Sequence, residues 1–389
     1  MKFIDFFAGV GGFRRGMELA GHECVGFCEF DKFATASYTS MHLLTQEQRE
    51  FLDKMPLKQR QKEILKEEYR NGEWYANDIR RVYAGDIPKA DCWCFGFPCQ
   101  DISVAGKQAG FQGNRSSLFF RVMYLVGQLK EEDKPTYLFI ENVKNLLSVN
   151  GGWDFARLLI EMERGGYDAE WQVLNSKDFG VPQNRERCFI IGHLRGRGSA
   201  EVFPVERADR EDSIQIIGHR DGYRRNTQVF AQDGITEALS TCQGGGREHH
   251  VALPCFIDLC REGSKMTEQA RCLKARYYKG ASNHAGQDSG QEIANTLDTS
   301  CNQGIFVQVS EELVVYAVWY EKYQCYIAIR KLTPKECFRL QGWTDDYFEK
   351  AEFVNSDSQL YKQAGNGVTV TVIEAMARKL GQHRKEEQR

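Results

Sequence analysis

The sequence predicts an α/β protein, built on an open and mostly parallel sheet, with a second, smaller domain set into the chain. Three observations carry this. Short apolar runs at residues 2–7, 24–27, 90–95, 135–140, 167–174 and 188–192 read as buried strands. Helical stretches at 13–20, 117–130 and 153–164 fall between them, the alternation expected of a parallel sheet. From about His193 to Arg330 the apolar periodicity fades while glycine, arginine, glutamine and threonine rise.

Composition sets the bounds. A chain of 389 residues has room for two domains and a full core. Hydrophobic content of 42% and charged content of 27% are those of an ordinary globular protein, and no apolar run is long enough to span a bilayer. Met1 to Asp5 enters a strand at once and leaves no room for a signal peptide, so a cytoplasmic location is expected. Thirteen cysteines scattered through strands favour reduced thiols over a disulfide framework. A net charge of −3 does not advertise a nucleic-acid partner, and any such binding must come from local patches.

The first strand runs into Ala8-Gly9-Val10-Gly11-Gly12 and then a helix. Glycines let backbone approach a ligand closely, and a helix N-terminus offers N–H donors. The second strand ends in Glu29-Phe30-Asp31, an acid at the distance from the turn that suits ribose hydroxyls. The turn lacks G-x-G-x-x-G spacing and the chain has no P-loop, so an adenosine without pyrophosphate fits best; S-adenosyl-L-methionine is such a cofactor. Residues 42–82 read as an inserted helical hairpin, opened by a Thr45–Gln48 capping box and broken at Pro56. Its charges fit a solvated face or a contact surface. Gly85-Asp86-Ile87 is then expected to resume the sheet.

The strand at 90–95 is broken by Gly96 and Pro98, which offers Cys99 at the sheet's carboxyl end. A thiol attacks as the thiolate, which needs electropositive neighbours. Taken alone, Gly96-Phe97-Pro98-Cys99-Gln100 fits a buried structural cysteine equally well. Residues 103–114 form a glycine-rich stretch that could close over a substrate. The strand at 135–140 ends in Glu141-Asn142-Val143, and Gln183-Asn184-Arg185-Glu186-Arg187 leads into the next, with both arginines on one side if extended. Between 193 and 330, residues 234–245 are faintly echoed at 292–304, with a weaker copy at 270–275; loops of this composition suit base edges and phosphates. Cys242, His249, His250, Cys255 and Cys260 match no metal-binding spacing, so no metal is expected. Thr333-Pro334 opens a helix, and Gln363-Ala364-Gly365-Asn366-Gly367-Val368 leads into a last one at 369–380.

In this order the motifs resemble the bacterial DNA (cytosine-5) methyltransferases: 6–12, 96–100, 141–143, 183–187, 330–334 with 339–342, and 365–368. The resemblance implies a Rossmann-like S-adenosylmethionine-dependent domain from 1–192 and 331–389, with a target-recognition domain at 193–330. It implies that Phe7 and Phe30 pack on the adenine, Glu29 holds the ribose, Asp86 and Ile87 contact the adenine, and Asn366 and Val368 close the pocket. Ala8, Gly9, Val10, Gly11, Gly12, Pro98 and Leu118 would complete it. Cys99 would add to C6 of a flipped-out cytosine. Glu141 would donate a proton at N3, and Arg185 and Arg187 would orient the base and the acid. Gln100, Ser103 and Thr296 would face the DNA. Arg224, Arg225, Asn283 and His284 are the candidates for groove contacts on their position beside the repeated units. The expected partner is double-stranded DNA, with a cognate restriction endonuclease in the same system, and the expected state is a monomer. The rivals are a tRNA cytosine-5 methyltransferase of the same fold, whose Cys-Phe-Thr motif is missing here, and a catalytically silent DNA-binding paralogue.

Overall fold

The computed structural model describes residues 1–97, 118–197, 201–206, 216–219, 228–231, 236–239, 250–255, 272–274, 303–310, 313–320 and 325–387. The chain divides into two compact units. One comprises Met1–Glu211, Glu237–Gln243 and Pro334–Arg389, the other Asp212–Thr236 and Gly244–Thr333.

The first unit is built on a seven-stranded sheet. Its strands are β1 (Lys2–Phe6), β2 (Glu23–Cys28), β3 (Trp74–Ala76), β4 (Cys92–Gly96), β5 (Tyr137–Val143), β6 (Tyr167–Asn175) and β7 (Glu186–Leu194). They lie in the order β3-β2-β1-β4-β5-β7-β6. Every neighbour is parallel except β7, which runs antiparallel to both β5 and β6.

Successive side chains on a strand point to opposite faces, and a sheet covered on both faces reads as a continuous apolar run. In β1, Ile4 and Phe6 enter one core with Trp93, Phe95, Leu138 and Ile140. Phe3 enters the other, with Phe13, Met17, Phe139 and Ile191. The first core is closed by α5 (Leu118–Gln128) and α6 (Trp153–Arg164). The second is closed by α1 (Gly12–Leu19) and α10 (Val370–Glu387), helices from the two ends of the sequence.

Between β2 and β3 stand α2 (Lys32–His42), α3 (Gln46–Asp53) and α4 (Leu57–Glu63). The Thr45 capping box forms as expected: Thr45 Oγ1 accepts the Gln48 N–H and Gln48 Oε1 accepts that of Thr45. The second helix is shorter than the hairpin reading implies, and a 3₁₀ turn at Glu67–Arg70 follows it. Arg60 holds the pair down by donating to the carbonyls of Leu52, Met55 and Phe353. The helices α7 (Pro334–Leu340), α8 (Asp345–Glu352) and α9 (Asp357–Asn366) precede α10, and Pro334 opens α7 as its sequence position predicts.

One expectation about the sheet is corrected. Residues 84–86 form a 3₁₀ turn, and the strand beside β2 is Trp74–Ala76, within the stretch read as helical hairpin. Just ahead of it, both carboxylate oxygens of Glu73 accept from Arg14 Nη1 of α1 (2.7 and 2.9 Å) in a part-buried ion pair, and Tyr38 Oη accepts from the same guanidinium nitrogen. This pair pins the edge strand to the first helix.

In the second unit a seven-stranded sheet runs Cys272–Lys274, Gln303–Ser310, Leu313–Tyr320, Cys325–Lys331, His250–Cys255, Gln228–Ala231 and Ile216–His219. All its pairs are antiparallel except that between 228–231 and 250–255. Among the described residues no helix is long and apolar enough to cross a membrane.

The contact of α1 with α10 depends on Gly16. A Cβ there would stand 2.6 Å from Ile373 Cβ and 2.9 Å from the Glu374 backbone nitrogen. Gly16→Ala is expected to lower stability by about 1–3 kcal/mol through overpacking, despite alanine's better helix propensity. Denaturant unfolding checks this, and an unchanged midpoint would contradict it.

Candidate active site

Two clusters form at the carboxyl ends of the parallel strands. The first surrounds the glycine turn. The strand β1 gives way to Phe7, whose φ of 55° is rare for a residue with a side chain. Gly9 and Gly11 also take positive φ, where glycine carries no steric penalty. Ala8 donates to the Cys28 carbonyl and Gly11 to that of Ala8. The turn is thus anchored to the end of β2, where Glu29 begins.

Glu29 Oε2 accepts the Gly9 N–H at 2.7 Å, and Oε1 accepts that of Asp31 at 2.7 Å. Each oxygen keeps lone-pair capacity for a further donor. Burial raises the carboxyl's pKa above the ordinary 4.5, while these two N–H bonds pull it back. A partly desolvated carboxylate with spare acceptor capacity, beside a turn whose glycines leave its backbone open, suits a ribose. The donor set therefore fits the nucleoside of S-adenosylmethionine. Phe30, next in sequence, is 73% exposed, an apolar ring left facing outward. From the far end of the chain, Val368 closes on the turn: a Cβ on Gly12 would lie 2.6 Å from Val368 Cγ2. Asn366 ends α9 and is exposed. Leu118, at the start of α5, packs against the first core.

The strand correction moves one pair of expected residues. Asp86 is exposed on its 3₁₀ turn, and Ile87 is buried in the core. The strand parallel to β2 is β3, where Glu29 donates its N–H to the Ala76 carbonyl, and β3 runs on into Asn77-Asp78-Ile79. Both oxygens of Asp78 are held by Arg80 at 2.8 Å, and the Arg80 guanidinium lies 5.7 Å from the centre of the Phe30 ring. These bonds hold the Asp78 carboxyl below its ordinary pKa. Arg80, which holds Asp78, is therefore the residue that stands beside Phe30. The overlooked signal is sequential: Trp74-Tyr75-Ala76 is aromatic and β-prone, although only three residues long.

The second cluster lies two strands along. Gly96, the last residue of β4, pairs in register with Glu141 of β5. Arg187 of β7 stands opposite Val143 across the antiparallel pair, and its Nε meets Glu141 Oε1 at 3.0 Å. Antiparallel β7 is what returns an arginine to the carboxyl end of β5. Asn142 donates from Nδ2 to the Phe97 carbonyl at 3.0 Å and so fixes the chain just before Pro98 and Cys99.

Arg185 is buried and serves other partners. Its guanidinium donates to the carbonyls of Gly365 (3.1 Å), Gly367 (2.8 Å) and Leu239 (3.5 Å). It thereby ties the chain ahead of β7 to the segment that carries Asn366 and Val368. Pro98, Cys99, Gln100, Ser103, Arg224, Arg225, Asn283, His284 and Thr296 lie outside the described residues.

Fold and site together define a Rossmann-like methyltransferase. Solved structures with the same architecture over 98% of both chains include the methyltransferase EhMeth of Entamoeba histolytica (TM-score 0.57, 14% identity) and the Dnmt2 methyltransferase of S. pombe (TM-score 0.55, 14% identity). At that identity they speak for the fold alone.

The sequence narrows the class further. The family model for C-5 cytosine-specific DNA methylases matches residues 1–65 and 54–382, and this chain belongs to that family. It is 31% identical to the type II methyltransferase M.HhaI of Haemophilus parahaemolyticus, over 98% of this chain and 94% of that one. It is 28% identical to the type II methyltransferase M2.ScrFI of Lactococcus lactis subsp. cremoris, over 98% and 99%. The orphan methyltransferase M.SPRI of Bacillus phage SPR is 26% identical over 98% and 97%. The protein is a DNA (cytosine-5) methyltransferase: its reaction is methyl transfer to cytosine, its substrate DNA, and its family uses S-adenosylmethionine.

Gly96 is the point at which the two strands crowd. A Cβ there would stand 3.1 Å from Glu141 Oε2 but at an ordinary 3.9 Å from Phe13 Cε2, so Gly96→Ala should displace the carboxylate without straining the core. The expected result is a fold of near-native stability and methyl transfer reduced about tenfold or more, as for small displacements of reacting groups. A tritium-transfer assay beside a melting curve checks it, and full activity in the variant would contradict it.

Proposed function

We propose that this protein methylates C5 of a cytosine flipped out of a specific double-stranded DNA sequence, through a covalent bond between Cys99 and C6 of the base. The observation that carries this reading is the Glu141–Arg187 pair, placed beside the end of the strand that leads into Cys99. Cytosine C5 is a weak nucleophile. Addition of the Cys99 thiolate at C6 moves the electron pair of the C5–C6 bond toward N3, and a proton from Glu141 neutralises the developing charge there. Arg187 Nε meets Glu141 at Oε1, and in this reading Oε2 is the oxygen that meets the base. S-adenosylmethionine, when bound, supplies the electrophilic methyl group that the activated C5 takes. Loss of the C5 proton to solvent, expulsion of the Cys99 thiolate and return of the N3 proton to Glu141 then restore the aromatic ring and the starting enzyme. A stacked base cannot reach a thiol at a sheet edge, so the target must leave the helix, at a cost of a few kcal/mol.

In this reading Glu29 accepts the ribose hydroxyls, Phe7 and Phe30 take the adenine, and Gly9 to Gly12 with Val368 receive the amino-acid end. Asp78 takes the place of Asp86 at the adenine edge, because β3 rather than residues 85–87 adjoins Glu29. Arg185 acts on the site through the backbone it holds. Residues 193–330 read the DNA sequence, with Arg224, Arg225, Asn283, His284 and Thr296 as groove contacts and Gln100 and Ser103 on the side of the extruded base. Both halves of the pocket come from one chain, so a monomer suffices. A restriction endonuclease of the same system would need only to share the target sequence.

Bisulfite sequencing of a plasmid treated with the protein and S-adenosylmethionine tests the reading. Methylation at one recurring sequence supports it, whereas transfer to tRNA and not to duplex DNA, or no transfer at all, would replace it with one of the two rivals. Cys99→Ser is expected to bind DNA and cofactor but to lose nearly all turnover, since a hydroxyl is a far weaker nucleophile near neutral pH. With the unaltered enzyme, 5-fluorocytosine at the target should leave a stable adduct on Cys99, because fluorine cannot depart as a proton does. Mass spectrometry of the tryptic peptide reads this directly.

Glu29 also gives a pH dependence. Its folded pKa lies above the ordinary 4.5, so the folded protein holds this proton more tightly than the unfolded chain does. Its contribution to stability is therefore present below 4.5 and is lost as pH rises through the folded value. Cofactor binding runs the other way, since ribose hydroxyls need the carboxylate. Affinity for S-adenosylmethionine should fall as pH drops through the raised pKa, and Glu29→Gln should abolish that dependence. Calorimetric titration across mildly acid pH checks both.

A further inference from the structure

The glycine turn has a third anchor besides Glu29 and the Ala8 carbonyl. His42, the last residue of α2, places Nε2 3.0 Å from the Val10 carbonyl oxygen. A carbonyl can only accept, so Nε2 carries the proton. The other ring nitrogen, Nδ1, is buried and makes no hydrogen bond. The imidazole is packed among the rings of Tyr38, Trp343 and Tyr347, at centroid distances of 4.9, 6.0 and 5.5 Å. Burial first, and Arg14 second, hold its pKa well below the ordinary 6.5, so the ring stays neutral and acts as a one-proton donor.

The contact is too close to be incidental. A Cβ on Gly11 would stand 2.5 Å from His42 Nε2, and Gly11 has a φ of 86°. The imidazole thus occupies the room that a side chain at Gly11 would need. The peptide unit between Val10 and Gly11 is planar, with its C=O and N–H on opposite edges. Holding the Val10 carbonyl toward His42 therefore aims the Gly11 N–H the other way, where it meets the Ala8 carbonyl at 2.8 Å. One imidazole fixes the plane of the central peptide in the turn, and with it the direction of the N–H groups that follow into α1.

We infer that His42 is a positioning residue for S-adenosylmethionine: it touches no substrate, and it sets cofactor affinity by locking the Val10–Gly11 peptide. This rests on the reading that the turn holds the cofactor. It separates His42 from a residue that merely fills the core, because only the donated proton matters for the lock. Gln can offer an N–H at the same distance from the backbone, whereas Phe keeps the ring and loses the donor.

The test uses the full chain and measures S-adenosylmethionine binding by calorimetry, with steady-state kinetics on duplex DNA. His42→Phe should weaken cofactor binding about tenfold, as expected for a buried carbonyl left without its donor. It should raise the KM for S-adenosylmethionine alike and leave kcat at saturating cofactor, and the KM for DNA, within about threefold of the parent, a uniform-binding effect. His42→Gln should restore most of the affinity. If the Phe ring prevents folding, His42→Leu takes its place in the comparison. Equal loss in the Phe (or Leu) and Gln variants would mean a packing role and would overturn the proposal. Unchanged affinity in His42→Phe, while Glu29→Ala weakens binding, would also overturn it and leave the cofactor reading intact. Unchanged affinity in both His42→Phe and Glu29→Ala would show that the cofactor binds elsewhere, and the underlying reading would fail with it.

Discussion

Much of this molecule depends on one place where a side chain is missing. At Gly12 the backbone of the first helix meets Val368 so closely that a single methyl group would collide with it. Because that atom is absent, the end of the chain can settle on the beginning. The contact lets α10 cover the second core, brings Val368 over the glycine turn, and carries the Gly365 and Gly367 carbonyls within reach of Arg185. Sheet, turn and closing segment are thus coupled through packing rather than through chain connectivity.

The polar residues of the first unit follow a consistent economy. Arg14 is buried against Glu18, Glu73 and Tyr38, Arg185 against backbone carbonyls, and Arg187 against Glu141. A buried charge is costly unless it is paired and hydrogen-bonded, and the partners meet that condition. Apart from Arg14–Glu18, one turn apart in α1, their sequence separations are long, so each of the other bonds joins distant segments. The glutamines extend the pattern: Gln183 donates to the Leu340 carbonyl and accepts the Leu239 N–H, while Gln341 donates to Ala364 and accepts from Thr369. Such fixed polar contacts specify one register for segments that apolar packing alone would leave free to slide.

The sequence disclosed what short spacing encodes. The strand, glycine turn, helix and terminal Glu29 all lie within some thirty residues and obey local rules, so both their form and their grouping were readable. Glu141 and Arg187 were legible as strand-end residues, though their meeting depends on β7 being antiparallel, which no local pattern announced. The reading failed where a motif was judged by its letters. Gly-Asp-Ile at 85–87 resembled a strand end, yet the chain forms its strand at Trp74–Ala76, three residues that show too little alternation to register beside charged helices. His42 went unremarked for another reason: a histidine at a helix end has no signature of its carbonyl partner thirty-two positions earlier.

The anchorage of the first helix by the last has a consequence for biosynthesis. On the ribosome, β1, the glycine turn and Glu29 emerge first, yet the segment that covers them, from Val368 through α10, emerges last. Residues 193–330 must pass in between. Until then the apolar face that α10 covers, including Phe13 and Met17, has no lid. A nascent chain stalled short of Val368 therefore leaves both the glycine turn and this apolar face uncovered.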